Sequence, residues 1–270
     1  MGTLAGHLIP GATFTLLGLW HLFNTSAAFR HFTGAATSSS RTWFPCPFIK
    51  RFELVVLLLL SLLATVFLLL SPSSTADIEH AAMFLHLVIY SAAALAADVL
   101  PSPSSAASII GALAASAFAQ ELLLLHFHSI DHSGLEGHYH HLMVIAVAAC
   151  LVSTVAAAAF PNSHLAAVVR SAAVALQGLW FMCTGLALWG PAWLFLGKCA
   201  AESGEAAACA GAAAAMANVQ FSFIVAGVAA LTAGVCLLPD RKGVEYRKVG
   251  EASGSSNNCC GGIKQSQALV

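Results

Sequence analysis

The chain carries too little charge to clothe a soluble core. Asp, Glu, Lys and Arg make up 9% of its 270 residues, against about 25% in ordinary soluble domains. Hydrophobic residues make up 59% and the mean hydropathy is +0.82, so a globule in water would have no polar exterior left. Neither sign is in excess: 11 Lys and Arg stand against 12 Asp and Glu, and no basic face is present for nucleic acid. A glycine-rich nucleotide loop, a Gly-x-Ser-x-Gly elbow and a Cys-x-x-Cys pair are also absent, which excludes the chemistry those motifs carry.

Long apolar runs are abundant instead. A membrane span needs about 20 apolar residues, and seven runs qualify: Leu4–Phe23, Leu54–Leu70, Ala81–Leu100, Ala106–Leu125, Leu142–Phe160, Leu165–Trp189 and Ala212–Leu238. Between them stand helix-ending segments such as Ser71-Pro72-Ser73-Ser74, Pro101-Ser102-Pro103, Pro161-Asn162-Ser163 and Gly190-Pro191. The expectation is an all-α, polytopic membrane protein: one seven-helix bundle over residues 1–240, with the lipid bilayer as its solvent, and a flexible polar tail over 241–270.

Charge orients the bundle. Arg30, Arg41, Lys50 and Arg51 in the first linker, Arg170 and the basic tail (Arg241, Lys242, Arg247, Lys248, Lys264) all fall on one side of a seven-span chain. The other side holds Lys198 among Asp77, Glu79, Asp131, Glu136, Glu202 and Glu205. The positive-inside rule then places the N-terminus outside and the tail in the cytosol. No cleavable leader is expected, because the first run lacks a basic flank and carries Pro10 and His21. Cys150, Cys183 and Cys236 fall within spans, Cys199 and Cys209 share an outer loop where a disulfide is an even alternative to free thiols, and Cys259-Cys260 are palmitoylation candidates on the tail.

The densest chemistry lies between the fourth and fifth runs. From Glu121 to His141 the chain places six of its 12 histidines with Glu121, Asp131 and Glu136. Imidazole and carboxylate are transition-metal ligands and proton carriers, and polar groups at membrane depth are costly enough to imply a purpose. His7 and His80 begin the first and third helices at the same depth. On a helix Glu121, Leu125, His128 and His132 step by 4, 3 and 4 and share one face. His126 cannot face the same way as His128, and Gly134 and Gly137 break the helix soon afterwards. The bland alternative is a solvated, His-rich outer loop. Glu121, as a buried carboxylate, needs either a raised pKa or a partner, which nearby histidines would supply. Gln177 is mid-membrane and seeks an interhelical hydrogen bond, with Asn218 and Ser222 as candidate partners. Trp189 and Trp193 read as an interfacial aromatic belt.

The same residues carry a family resemblance. Gly6-His7-Leu-Ile-Pro10-Gly11, Gly18-Leu19-Trp20, Ala97-Asp98, Glu121 followed by His128, Glu136 and His140, Arg170-Ser171 and Leu176-Gln177-Gly178-x-Trp180 occur in order. This arrangement resembles the transmembrane protein 45 family, domain of unknown function 716, over nearly the whole chain. The extra His126, His132, His138 and His141 make it more similar to the plant, viral-response-like branch. Animal-type members have a His in the last span, where this chain has Asn218 and Gln220. The resemblance implies a seven-span integral membrane protein and supplies no activity.

Three functions fit these residues. The first is binding or transport of a divalent metal, zinc above all, with ligands His128, His132 and His140 and support from His7, His80, Glu121, His126, Asp131 and Glu136. The second is a metal-free, pH-responsive or interaction protein whose histidines charge between about pH 5 and 8. The third is an intramembrane zinc hydrolase with Glu121 or Glu136 as general base. Catalysis ranks behind both of the other readings.

Overall fold

The computed structural model describes residues 3–31, 41–72, 74–101, 105–191 and 206–237. Within them the chain forms seven helices and no strand: α1 (Leu4–His31), α2 (Phe52–Leu70), α3 (Thr75–Val99), α4 (Ala106–Asp131), α5 (Gly134–Ala159), α6 (His164–Trp189) and α7 (Ala206–Leu237). The sites expected at Trp193, Cys199 and Cys259-Cys260, the tail, and the side chain of Cys209 lie outside what is described.

The helices outrun the apolar runs, because local capping lets polar turns extend them. At α3 the Ser74 side chain caps the N3 backbone while Asp77 Oδ2 accepts from Ser74 N at 3.1 Å, a reciprocal box that satisfies otherwise unpaired terminal donors. At α6 the Ser163 side chain accepts from Ala166 N at 3.2 Å. The histidine-rich segment is almost wholly helical, so the bland alternative of a His-rich loop does not hold and the helix expected through His128 does. α4 continues to Asp131, α5 starts at Gly134, and only His132 and Ser133 intervene. Gly134 has φ +72°, a conformation L side chains rarely adopt. Gly137, expected to help break the helix, lies inside α5, where an added Cβ would stand 2.1 Å from His132 O. It permits the close approach of α4's end to α5's start.

Side-chain contacts fix the helix directions. The starts of α1, α3 and α5 and the ends of α4 and α6 meet at one end of the bundle: His7 touches His140 and Trp189, and His80 touches His128. The opposite end gathers Trp20 and His21 of α1, Glu53 of α2, Asp98 of α3 and Arg170 of α6 around residues 41–51. We call these the histidine end and the loop end.

α2 to α7 are each long and apolar enough to cross a membrane. α1 is not among them, since Thr13, Thr15, His21, Asn24, Thr25 and Ser26 dilute its apolar character. The expected number of helices is present, with the first the least apolar. Leucines and phenylalanines cover the exterior, including Leu63, Leu165 and Phe223. In water such a surface would be an aggregation liability, whereas lipid tails are equally apolar. The chain is an integral, multi-pass membrane protein in its composition and surface.

α1 packs along α6, α2 on α3, and α4 on α5, while α5 also packs on α6. The α1–α6 contact is backbone against backbone. A Cβ on Gly178 would lie 2.2 Å from Thr15 N, and one on Gly18 would lie 2.3 Å from Ala175 N. Small residues allow this approach where no hydrophobic effect drives helices together. Trp180 is fully buried, stacks on Tyr139 at 5.3 Å and donates to Tyr139 O at 3.1 Å, which ties α6 to α5. Phe221 of α7 meets the same indole edge-on at 4.9 Å.

Gly178→Ala is expected to lower stability by about 1–3 kcal/mol, the usual cost of overpacking. Gly227→Ala on α7, where nothing lies within 4 Å of the new Cβ, should be neutral or slightly stabilising, since Ala is the better helix former. Thermal unfolding in detergent compares the two; equal midpoints would contradict the packing.

Candidate functional site

The histidine end is built by four helix termini. His128 lies near the end of α4, His132 caps it, His140 lies near the start of α5, and His7 and His80 lie near the starts of α1 and α3. Ring centroids of His128 are 4.5 Å from His132, 5.0 Å from His140 and 6.0 Å from His80. His140 is 5.7 Å from both His7 and His132. His7 and His140 are buried.

Backbone carbonyls orient three of these rings. His7 Nδ1 donates to Thr3 O at 3.1 Å, His140 Nδ1 to Glu136 O at 2.8 Å, and His80 Nδ1 to Ala76 O. A carbonyl only accepts, so the proton is on Nδ1 and Nε2 keeps its lone pair. Each bond spans one turn of the residue's own helix. Carboxylates flank the other two rings: His128 Nδ1 stands 3.6 Å from Glu79 Oε2, and His132 Nδ1 stands 3.7 Å from Glu136 Oε1. Among the described residues, no group of three or more His, Cys, Asp or Glu stands in metal-holding geometry.

The remaining predicted residues separate. His126 and Asp131 are exposed, and the His126 ring touches Phe127 on the far face of α4, as helical spacing requires. Glu121 is buried but takes its hydrogen bond from Gln177 Nε2, 2.7 Å from its Oε1, and not from a histidine. The expected histidine partnership of Glu121 is thus corrected. It lies about two turns from His128 along α4, and α6 reaches it from the side. Asn218 and Ser222, expected to answer Gln177, belong elsewhere. Asn218 Oδ1 meets His138 Nε2 at 2.9 Å, and Ser222 Oγ donates to Asn218 O at 2.9 Å. Gln177 Oε1 finds no partner among the described residues. Trp189, expected in an interfacial belt, packs its ring 4.6 Å from His7.

The loop end holds polar groups that the sequence reading left out of any site. Glu53 accepts from Trp20 Nε1 at 3.0 Å and from Phe44 N at 2.9 Å, and it meets His21 Nε2 at 2.8 Å. Arg51 Nε donates to Asp98 Oδ2 at 2.6 Å, with Lys50 Nζ at 3.5 Å. Tyr90 donates to Thr42 O at 2.8 Å, and Arg170 donates to Arg41 O. The resemblance motifs offered a signal, since Trp20, Asp98 and Arg170 all stand here.

Residues 107–237 match the model of DUF716, a family of unknown function. No curated protein matches the chain. The match supports that family across α4 to α7, just under half the sequence. It includes His128, His132, His140, Glu121 and Gln177, and it leaves out His7 and His80.

Gln177→Leu removes the hydrogen bond to Glu121 and strands a buried carboxyl group, so stability should fall by about 1–3 kcal/mol. Asn218→Ala touches an exposed bond and should change stability by no more than about 0.5 kcal/mol. Denaturation midpoints of the two variants check this; an Asn218 effect as large as that of Gln177 would contradict the assignment.

Proposed function

We propose that the histidine end binds a divalent metal, zinc first among them, in a seven-span protein whose N-terminus faces outside and whose tail is cytosolic. The observation that carries this reading is the convergence of His7, His80 and His140 with Nδ1 held by carbonyls, beside His128 at 5.0 Å from His140 and 6.0 Å from His80. Metal-ligating imidazoles characteristically donate their second nitrogen to a carbonyl or carboxylate, which fixes the tautomer. Two nitrogens about 2.0–2.1 Å from one zinc lie within about 4 Å of each other, so binding draws these rings together by side-chain rotation. The ligand set is His128, His132 and His140, with His7 beside His140 and His80 beside His128, and with Glu79 and Glu136 next to His128 and His132. Binding or transport is the corresponding activity. The finer kinship, with the plant branch of the transmembrane protein 45 family, rests on the ordered motifs from His7 to Trp180, and the division into a membrane domain over 1–240 and a tail over 241–270 rests on composition.

A second reading is favoured by one observation. The pairs His128–Glu79 and His132–Glu136, at 3.6 and 3.7 Å, become ion pairs when the imidazoles are protonated. A metal-free protein would use them to alter packing as pH falls.

Metal analysis of the purified, full-length protein tests the first reading. Stoichiometric zinc is expected, with His128→Ala losing it while the helix content is retained. A metal-free protein with no affinity for added zinc would overturn it and leave the pH-responsive reading. Reporter tags at Gly2 and after Val270 test the topology: opposite sides of the membrane are expected, and the same side would refute seven spans.

A further inference from the structure

We infer that the interior of the bundle is a binding site for a single-chain, long-chain carboxylate, with its head group at Arg170 and Thr154 and its chain along α1. The inference is independent of any metal at the histidine end.

A cavity of about 490 Å³ lies between α1 and the helices facing it, a size at which small-molecule sites are common. It exists because α1 is drawn onto α6 and does not pack lengthwise against α2 or α3. Its lining runs from Thr3 to His21 along α1, a span of about 27 Å at the helical rise, close to the roughly 30 Å of a bilayer's hydrocarbon core. The walls are apolar, formed by Phe14, Leu57, Leu87, Phe118 and Val174 among others. Ile9 of α1 and Phe67 of α2 line the cavity and are also 66% and 64% exposed on the lipid-facing surface. The cavity therefore borders the bilayer laterally, which suits a ligand arriving from lipid.

Polar groups are confined to a few places. At the loop end, Arg170 lines the cavity and is 7% exposed. Its one hydrogen bond among the described residues goes to the Arg41 carbonyl, and no carboxylate lies within 4 Å of it there; Glu53 and Tyr90 act on it only at longer range and leave its remaining donors free. A guanidinium has five donors, and a charge inside a membrane bundle marks a function or finds a counter-charge. Thr154 lines the same cavity, is 1% exposed and has an unpartnered hydroxyl. Both residues lie roughly one and a half turns from the shared end of α5 and α6. Thr42 and the Tyr90 phenol, bonded to each other, close this end.

These groups specify the head. The planar fork of Arg matches a carboxylate bidentately, and the Thr154 hydroxyl supplies a further donor. A phosphate monoester carries up to about two negative charges and would face a single buried cation, because Arg51 and Lys50 are engaged by Asp98. Farther along, Glu121 also lines the cavity and is bonded to Gln177. A carboxylate finds no donor at that level, so the head goes to Arg170 and the chain extends past Glu121 toward His80.

The test titrates full-length protein in detergent with oleate, methyl oleate, octanoate and an oleoyl lysophosphatidate, using displacement of a fluorescent long-chain carboxylate. Oleate should bind saturably, and methyl oleate and octanoate should bind at least about tenfold more weakly, as expected when a charge-assisted bond or most of the buried chain is lost. Thr154→Val should weaken oleate several-fold and leave methyl oleate unchanged. Ala117→Phe, which fills the cavity, should abolish both. Equal affinity for oleate and its methyl ester in the unaltered protein, absence of saturable binding, or oleate binding that survives Ala117→Phe would each overturn the proposal. Tighter binding of lysophosphatidate than of oleate would overturn the choice of carboxylate.

Discussion

The contact of α1 with α6 is the constraint on which the other features depend. Gly18 and Gly178 leave no room for a side chain between the two backbones, so α1 can carry more polar residues than a lipid-exposed helix tolerates. Thr15, His21, Thr25 and Ser26 are buried. Thr15 returns its hydroxyl proton to Gly11 O at 2.8 Å, and Ser26 meets Cys236 of α7 at 3.6 Å. The same contact sets the register of α1 at both ends. It brings His7 to Trp189 and His140 at the histidine end, and Trp20 and His21 to Glu53 at the loop end. The interior cavity is its geometric consequence, since a helix drawn against one neighbour is withheld from those opposite.

The tight turn between α4 and α5 does comparable work on a smaller scale. An uninterrupted helix would spread His128, His132 and His140 along its length, with the last two about 12 Å apart by helical rise. The positive φ at Gly134 reverses the chain, and Gly137 lets α5 start against the last carbonyls of α4. Rings at positions 132 and 140 then come to 5.7 Å, and those at 128 and 140 come to 5.0 Å. Two glycines thus convert a linear pattern into a convergent one. The cost is that the rings are placed by helix ends rather than by helix middles.

Periodicity made some of this legible in the sequence. Apolar runs mark helices because a bilayer leaves the backbone few alternatives, and the i, i+4 pair His128 and His132 shares a face by helix geometry alone. The same rule turns His126 away from His128, and its exposure removes it from the supporting set in which the sequence placed it. What escaped was everything decided between helices. Glu121 and Gln177 lie far apart in sequence, and which residue of α6 faces α4 is set by packing through α5, which no period encodes. Glu53 heads an apolar run and reads as an ordinary terminal carboxylate, yet residues from α1 and the 41–51 segment converge on it. Arg170 marks a side of the membrane and a family motif in the sequence but no site, and its burial places it inside the bundle. α1 was counted as a span like the others, although its polar residues make it the helix least suited to lipid.

The buried polar groups follow a common economy of bonding. In a bilayer core each unsatisfied group costs several kcal/mol, so a hydroxyl, with its single O–H donor, can be satisfied within its own helix. Ser61, Ser91 and Ser171 are examples, each donating to the carbonyl four residues earlier. The histidines and Arg170 have more sites than the backbone takes up. One imidazole nitrogen of His7, His80 and His140 is tied to a carbonyl and the other is not, and Arg170 commits one bond of its fork to Arg41. What remains points toward lone pairs at one end of the bundle and cationic donors at the other, separated by apolar walls. Such a division suits ligands of opposite kinds, a cation at the histidines and an anion at the guanidinium. Between the ends, among the described residues, the Glu121–Gln177 pair is a polar bond within the apolar stretch, and its Gln177 Oε1 is left without a partner.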